Sequence, residues 1–411
     1  MPTSEPRSLS TWFVKALAVT FLMQVAVNAV RPTVSYRALA LGADAGDLGL
    51  IAAGFALLSL VFAIPIGRMI DRRGEMPFVI LGLSLVSVVA FVLVGVGAIW
   101  ALFVTQALLG LGQVLTTVGM QALIANSETA HQDSRFGTFT VIASLGQLVG
   151  PAASGFLAQH VAVPPAFTWG EGADLVGSSV FVAAGLAGAL GLAIAVSARH
   201  DSSTPRTGTS SSPPPEASML RSVVQVLRQP NAPQAMFASI AVLTTNDLLV
   251  AYLPAYGEAT GLSATTVGLL LSVRAGASMV SRIFMGPLTR RVGRGRLLTL
   301  STALPALVLA PLPLVDAPAF LFISMALAGL GLGLGQPLSL VWIARTSPEH
   351  MRGTAVGVRL SGNRLGQVAI PAMVGGIVGA TGLAALFVAL AMMLVGSSIL
   401  TASSSFTTEE P

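Results

Sequence analysis

No cysteine occurs anywhere in the 411 residues, which excludes disulfides, thiolate nucleophiles and cysteine-ligated zinc or iron–sulfur centres. Charge is also scarce, at 9% of positions, and Lys15 is the only lysine among many arginines. The four histidines, His131, His160, His200 and His350, fall near the ends of apolar runs and in loops. No HExxH, Walker loop or nucleophile elbow is present. The sequence therefore suggests no metal site, no cofactor and no enzyme. GLGLGQ from Gly331 mimics a dinucleotide-binding loop, yet it lies inside an apolar run without the strand such a loop must follow.

What the chain does have is apolar surface. Hydrophobic residues make up 54% and the mean hydropathy is +0.80, more than a water-soluble globule could hide. Twelve apolar stretches approach the roughly 20 residues needed to cross a hydrocarbon core of about 30 Å. They run over 12–37, 46–69, 76–97, 99–125, 136–160 and 174–197, then 233–256, 264–288, 295–315, 317–345, 352–379 and 381–402. The first is too long for a signal-peptide core and lacks a small-residue cleavage site, so it reads as a retained span. The expected fold class is all-α integral membrane, with twelve transmembrane helices and the lipid bilayer as solvent.

The formal net charge of +5 does not mark a nucleic-acid binder, because the arginines gather in short loops and form no stripe. Arg68, Arg72 and Arg73, then Arg290, Arg291, Arg294 and Arg296, then Arg199, Arg206, Arg221 and Arg228 all fall on one side of the predicted topology. Opposing loops carry acids such as Asp174, Glu258 and Asp316, with Arg37 as the exception. The positive-inside bias puts both termini in the cytoplasm.

Domain organisation follows from composition. A first six-helix bundle covers 1–198, a cytoplasmic linker 199–230 and a second bundle 231–411. The linker is rich in Ser, Thr and Pro and reads as a flexible tether. At its end, Met219, Val223, Val226 and Leu227 share one helical face, which fits either a surface-lying amphipathic helix or the entry to the seventh span.

The two bundles are related in sequence. Gly67 and Gly74 recur 219 positions later as Gly286 and Gly293, and at the same offset Gly42 matches Gly261, Gly49 matches Gly268, Ser59 matches Ser278 and Gly110 matches Gly329. At offset 220, Gly146, Gln147, Pro151 and Gly155 match Gly366, Gln367, Pro371 and Gly375. An ordered set of matches over six spans marks an internal repeat. Two such halves would leave a cavity between them near the midplane.

In the loop after the second span, Gly67, Met69, Asp71, Arg72 and Gly74 resemble the signature of the major facilitator superfamily, and Gly286, Leu288, Arg290, Arg291 and Gly293 form a weaker second copy. The resemblance covers essentially the whole chain. It implies two pseudo-symmetric six-helix bundles and a gating role for Asp71 and Arg72. Glu75 and Arg290 depart from the pattern, the second replacing the acid. In span five, Gly137, Gly146, Gly150, Pro151 and Gly155 resemble the motif of the family's twelve-span proton-coupled drug antiporters, with Ser154 where glycine is usual. Gly146, Gly150 and Ser154, spaced by four, leave a bare helix face that lets a neighbouring backbone approach. Gln106 stands where the antiporter pattern has an arginine.

Ionisable and amide residues at membrane depth are the candidates for a pathway, because an unpaired charge near a helix centre costs roughly 2.5–3.5 kcal/mol on insertion scales. The candidates are Gln24, Asn28 and Arg31 in span one, Gln113 in span four, and Asn246, Asp247 and Tyr252 in span seven. Arg274 in span eight, Gln336 in span ten, and Arg359 and Asn363 in span eleven complete the set. In span eight Ser278 and Arg282 continue the face of Arg274, and in span eleven Gln367 continues that of Arg359 and Asn363. Asp247 is the one clear acid well inside an apolar run. A carboxyl between arginines that favour its charge and burial that disfavours it can carry a proton, though it also fits a structural ion pair with Arg31 or Arg274. Tyr252 and Tyr256 fit an outer mouth or an interfacial aromatic belt. Gln113 and Gln336 fit a cavity lining or interhelical glue.

The expected function is secondary transport by alternating access. It takes the form of proton-coupled efflux of a small organic or amphipathic compound by a monomer in a bacterial plasma membrane. Two alternatives stay open: a uniporter or symporter of an organic anion or other polar solute, and a non-transporting membrane sensor.

Overall fold

The computed structural model describes residues 11–126, 132–163, 169, 176–198, 219–229, 231–315, 317–348 and 351–403. Residues 199–218, with Arg199 and Arg206, lie outside them, as do His131, Asp174, His200, Asp316, His350 and the side chains of Asp71 and Arg221. Regular structure among the described residues is helical throughout. The first set comprises α1 (Thr11–Ala40), α2 (Ala45–Arg73), α3 (Met76–Val94), α4 (Ile99–Ala125), α5 (Gln132–His160) and α6 (Ser178–Ala198). After the short α7 (Met219–Leu227) come α8 (Ala232–Thr260), α9 (Ala264–Ile283), α10 (Met285–Val292), α11 (Arg294–Leu309), α12 (Pro318–Thr346), α13 (Arg352–Thr381) and α14 (Ala384–Ala402). Eleven of these segments are long and apolar enough to cross a membrane. The 30-residue α13 completes the twelve, with Arg352, Arg359 and Arg364 lowering its hydropathy.

Prolines explain two departures from the expected spans. The stretch 264–288 breaks at Phe284 (φ −88°, ψ 5°), because Pro287 has no N–H to offer the carbonyl of Ile283, and α10 continues as a separate short helix. The stretch 295–315 ends its α-helix at Leu309, where Pro311 and Pro313 tighten the chain into a 3-10 turn over Leu312–Leu314.

The sequence repeat is also a conformational one. Gly42 and Gly261 take φ of 83° and 72°, and Gly74 and Gly293 take 89° and 85°. These are left-handed values that only glycine adopts without strain, and at Gly74 the turn sends its N–H back to Ile70. Ser59 Oγ donates to Gly110 O at 3.2 Å, and Ser278 Oγ donates to Gly329 O at 2.8 Å, so the same hydrogen bond ties α2 to α4 and α9 to α12.

Packing divides the helices into two bundles. In the first, α1 packs on α5 and α6, α3 on α4 and α6, and α2 on α4; in the second, α12 packs on α8, α9 and α11, and α14 on α8 and α11. The bundles meet through α2 with α13, α5 with α9, and α1 with α8. Exposed large apolar side chains recur on nearly every long helix, Trp100 and Leu307 at 73% each, which suits a surface that faces lipid. Within the linker, α7 is a helix of its own. Val226 is buried among Ala235, Ala238, Leu338 and Ala355, and Ser347 Oγ donates to Gln229 Oε1 at 2.7 Å.

Arg37, the exception to the charge bias, is a clamp. Fully buried, it donates from Nε to Val176 O (3.1 Å), from Nη1 to Leu93 O (3.2 Å) and Val96 O (3.0 Å), and from Nη2 to Ser178 Oγ (2.6 Å), and it lies over the Phe181 ring. It satisfies carbonyls left over at the C-terminal end of α3, where the helix dipole also favours a cation.

Candidate functional site

Asp247 lies where the two bundles meet. One turn of α8 carries Asn246 and Asp247, and the carboxylate is held from two other helices. Arg31 Nη2 of α1 donates to Oδ1 at 2.7 Å, and Gln367 Nε2 of α13 donates to Oδ2 at 2.5 Å. The Arg31 and Asp247 side chains are 13% and 10% exposed, so the pair is poorly hydrated and removal of either partner would strand a charge. The Arg31 guanidinium also lies 4.1 Å from the ring centroid of Phe55 on α2. Gln367 is oriented in turn by Arg364, whose Nη1 donates to Gln367 Oε1 at 3.1 Å. Arg274 of α9 donates through Nη1 to Asn246 Oδ1, and Asn246 Nδ2 is tied to Val242 O at 2.8 Å.

A second polar cluster lies wholly inside the second bundle. Arg359 Nη2 of α13 donates to the backbone oxygen and Oε1 of Gln336 on α12, both at 2.8 Å, and to Ser339 Oγ at 3.0 Å. Gln336 Nε2 donates to Ser239 O at 2.6 Å, and Ser239 Oγ donates to Asn363 Oδ1 at 2.9 Å. Gln336 is thus interhelical glue. In the first bundle Gln113 Nε2 reaches Gln24 Oε1 at 3.3 Å, while Asn28 Nδ2 bonds its own helix at Gln24 O, 2.8 Å away.

Glycines set how closely the bundles approach. A Cβ added at Gly268 of α9 would fall against Pro151 O of α5, and one added at Gly49 of α2 would fall against Pro371 O of α13. These are the same contact made twice, since Gly49 and Gly268, and Pro151 and Pro371, are repeat partners. Tyr252 closes the second site: fully buried, its hydroxyl donates to Ala45 O at 2.6 Å. Tyr256 is also buried, with its hydroxyl on Leu312 O at 3.3 Å, so neither tyrosine belongs to an interfacial belt. Thr265 Oγ1 donates to Gly155 O at 3.2 Å and Ser272 Oγ to Leu148 O at 2.6 Å. All these contacts lie away from the arginine-rich loops. Toward those loops, by contrast, Gly67 of α2, Gly137 of α5 and Gly357 of α13 face open space. The named contacts between the bundles therefore gather at one end of the seam between them, here called the closed end of the slot, while toward the arginine-rich, or parted, end these glycines meet no neighbour.

The sequence profile of the Major Facilitator Superfamily matches residues 16–319 and again 235–411. The chain belongs to the major facilitator superfamily. Among curated facilitators, the Quinolone resistance protein NorA of Staphylococcus aureus is 29% identical over 140 residues, covering 34% of this chain and 36% of that protein. The Tetracycline resistance protein, class B, of Escherichia coli is 26% identical over 144 residues, with the same coverage. The match thus spans about a third of either relative's length. Solved structures share the fold over nearly the whole chain. A POT family transporter in complex with 5-aminolevulinic acid has a TM-score of 0.77 at 14% identity, covering 100% of this chain and 99% of that one. The nucleoside transporter NupG has a TM-score of 0.72 at 12% identity, covering 97% and 98%.

The facilitator motifs occupy distinct places in this frame. Arg72, Arg290 and Arg291 are exposed at the parted end, Gly74 and Gly293 make the turns that follow, and a Cβ at Gly286 would meet only Arg290 of its own helix, at 3.9 Å. In the span-five motif, Gly146 and Gly150 receive α1 near Gln24 and Asn28, whereas Pro151 and Gly155 face α9. Gln106 is buried, with Oε1 lacking a hydrogen-bond partner. Two residues outside the selected pathway set matter most to Asp247: Gln367, its direct donor, and Arg364 behind it. The four-residue step from Arg359 through Asn363 to Gln367 was the available signal for Gln367. For Arg364, which sits well round the helix from that stripe, the sequence carried none.

Proposed function

We propose that this facilitator is a proton-coupled secondary transporter of a small organic compound, working by alternating access, with Asp247 as the proton carrier. The supporting observation is the Arg31–Asp247 ion pair, which joins α1 of one bundle to α8 of the other. While the carboxylate is ionised, it holds the closed end shut. A proton on Asp247 removes the charge that Arg31 faces and loosens that end, so the two conformations differ in proton affinity, as coupling requires. With the arginine-rich side taken as cytoplasmic, the present conformation faces inward. The names of the two resistance proteins support export as the direction; a bacterial plasma membrane and a monomeric working unit belong to the same reading. Whether proton and cargo exchange or travel together depends on cargo charge: a cation would compete with the proton for Asp247, whereas an anion would not.

The test uses purified full-length protein in liposomes. A quinolone, tetracycline and a series of small organic acids, amides and amines are followed with and without an imposed pH gradient. Gradient-dependent flux is expected in the wild type and should vanish in Asp247→Asn, whose unfolding midpoint in detergent falls because Arg31 loses its partner but stays above the assay temperature. Gradient-dependent flux that survives in Asp247→Asn removes this residue as the proton carrier. If no compound moves under any gradient, a sensor replaces the transporter.

A further inference from the structure

The slot holds far more positive charge than its own acids can balance. Arg274 and Arg364 both lie near enough to Asp247 and Arg31 for their charges to interact, and Arg282 adds its charge to that of Arg274. Asp247 is the one carboxylate in this group, and Arg31 and Gln367 already occupy its two oxygens. The remaining guanidiniums donate to neutral oxygens only. Arg274 meets Asn246, Arg364 meets Gln367, and Arg282 meets Gly333 O at 3.1 Å and Ser144 Oγ at 3.5 Å. Arg359, in the neighbouring cluster, meets only Gln336 and Ser339. Arg274 and Arg359 are 8% and 3% exposed, and in each the Nε–H is buried without a partner. Cations at this depth are expensive unless matched, and an unmatched cluster on the wall of a transport slot is matched by what enters it.

Resting on the reading of this slot as a transport pathway, we propose that its cargo is an organic anion whose carboxylate, sulfonate or phosphate head is held by Arg274 together with Arg31 and Arg364. A planar guanidinium offers a two-pronged donor set to such heads, which amides and hydroxyls do not reproduce. The sense of coupling follows. The groups facing Asp247 are Arg31 from α1, Asn246 on its own helix, Arg274 from α9, and Gln367 and Arg364 from α13, with Arg282 beyond Arg274 on α9. Arginine keeps its charge and the amides carry none, so a proton on Asp247 raises the charge of the slot by one and frees Arg31 for the anion. Proton and anion then bind together and cross together, so an inward proton gradient would drive uptake of this cargo in place of the export that the relatives' names support.

The experiment uses matched ligands on the full chain in detergent: benzoate, benzamide and benzylamine, then naphthalenesulfonate, naphthalenesulfonamide and naphthylmethylamine. Affinity is read from the shift of the unfolding temperature. Anions should stabilise the protein and their neutral and cationic partners should not. Anion affinity should rise as pH falls, and this rise should be absent in Asp247→Asn. Arg274→Gln should weaken the anion about tenfold or more, the loss of one charge-assisted hydrogen bond, and Arg274→Lys should restore part of it. If Arg274→Gln fails to fold, Arg364→Gln gives the same reading. Stabilisation by amines or amides in preference to acids, or none by either acid, overturns the proposal. Flux separates the two readings. Gradient-driven movement of amines alone leaves the transporter intact and removes the anion, whereas arginine-dependent anion binding with no flux does the reverse.

Discussion

Arg37 and Asp247 are both buried charges, and their surroundings give them opposite roles. Arg37 meets several carbonyl oxygens and a hydroxyl within one bundle, so it has nothing to exchange when the bundles move. Replacing it by leucine strands those carbonyls at the end of α3. The expected loss is about 3 kcal/mol of stability, read as a lower unfolding midpoint in detergent, with no change in which compounds bind. Asp247 was legible in the sequence because an acid inside an apolar run is rare, and Arg31 because it shares a face with Gln24 and Asn28. Which arginine would take the carboxylate was not legible. Arg274 was as good a candidate and instead meets Asn246, a choice set by the approach of α9 to α8 and not by spacing along either helix.

At the level of whole helices, Gly268 against Pro151 and Gly49 against Pro371 are the tightest links between bundles, and both are backbone contacts. Gly268→Val puts branched carbons where the carbonyl of Pro151 now sits, so α5 and α9 must separate. The expected outcome is a protein that folds but favours the conformation parted at the other end, and Gly49→Val should behave alike. Double electron–electron resonance between spin labels at the closed ends of α2 and α13 would read the shift as longer distances, and unchanged distances would dismiss these contacts as the closure. The sequence offered the glycines and prolines of this arrangement as a repeat and as a bare helix face. Which neighbour each would meet was hidden, since Gly150 and Pro151 are adjacent in the chain but receive α1 and α9 respectively. Helix ends were legible to within about one turn, α2, α5 and α8 each running further than expected, except where prolines cut them more sharply at Pro287 and Pro311.

For the molecule as a whole, twelve helices in two related bundles could be read from hydropathy and from the offset of 219, because the period of a repeat survives drift at single positions. The conformational state could not be read. It depends on how two rigid bodies sit against one another, an equilibrium worth only a few kcal/mol and written in no local pattern. The absence of cysteine makes that state measurable, since any thiol introduced stands alone. Single cysteines at Gly67 and Gly137 should react readily with a membrane-impermeant maleimide added from the arginine-rich side, and one at Thr265 should be protected. Equal labelling at all three positions would contradict the parted and closed ends described for the slot.

Because main chain meets main chain at the shut end of the slot, and the side chains that help there, Tyr252, Thr265 and Ser272, bond to backbone oxygens, the fit asks chiefly for smallness at the glycines and a few hydroxyls. Residues deeper in the channel, apart from the Arg31–Asp247 pair, are released from any duty in keeping it watertight. They can be rewritten for a different compound without reopening a leak, which is one physical reason why proteins sharing barely an eighth of their residues can hold this shape around unrelated solutes.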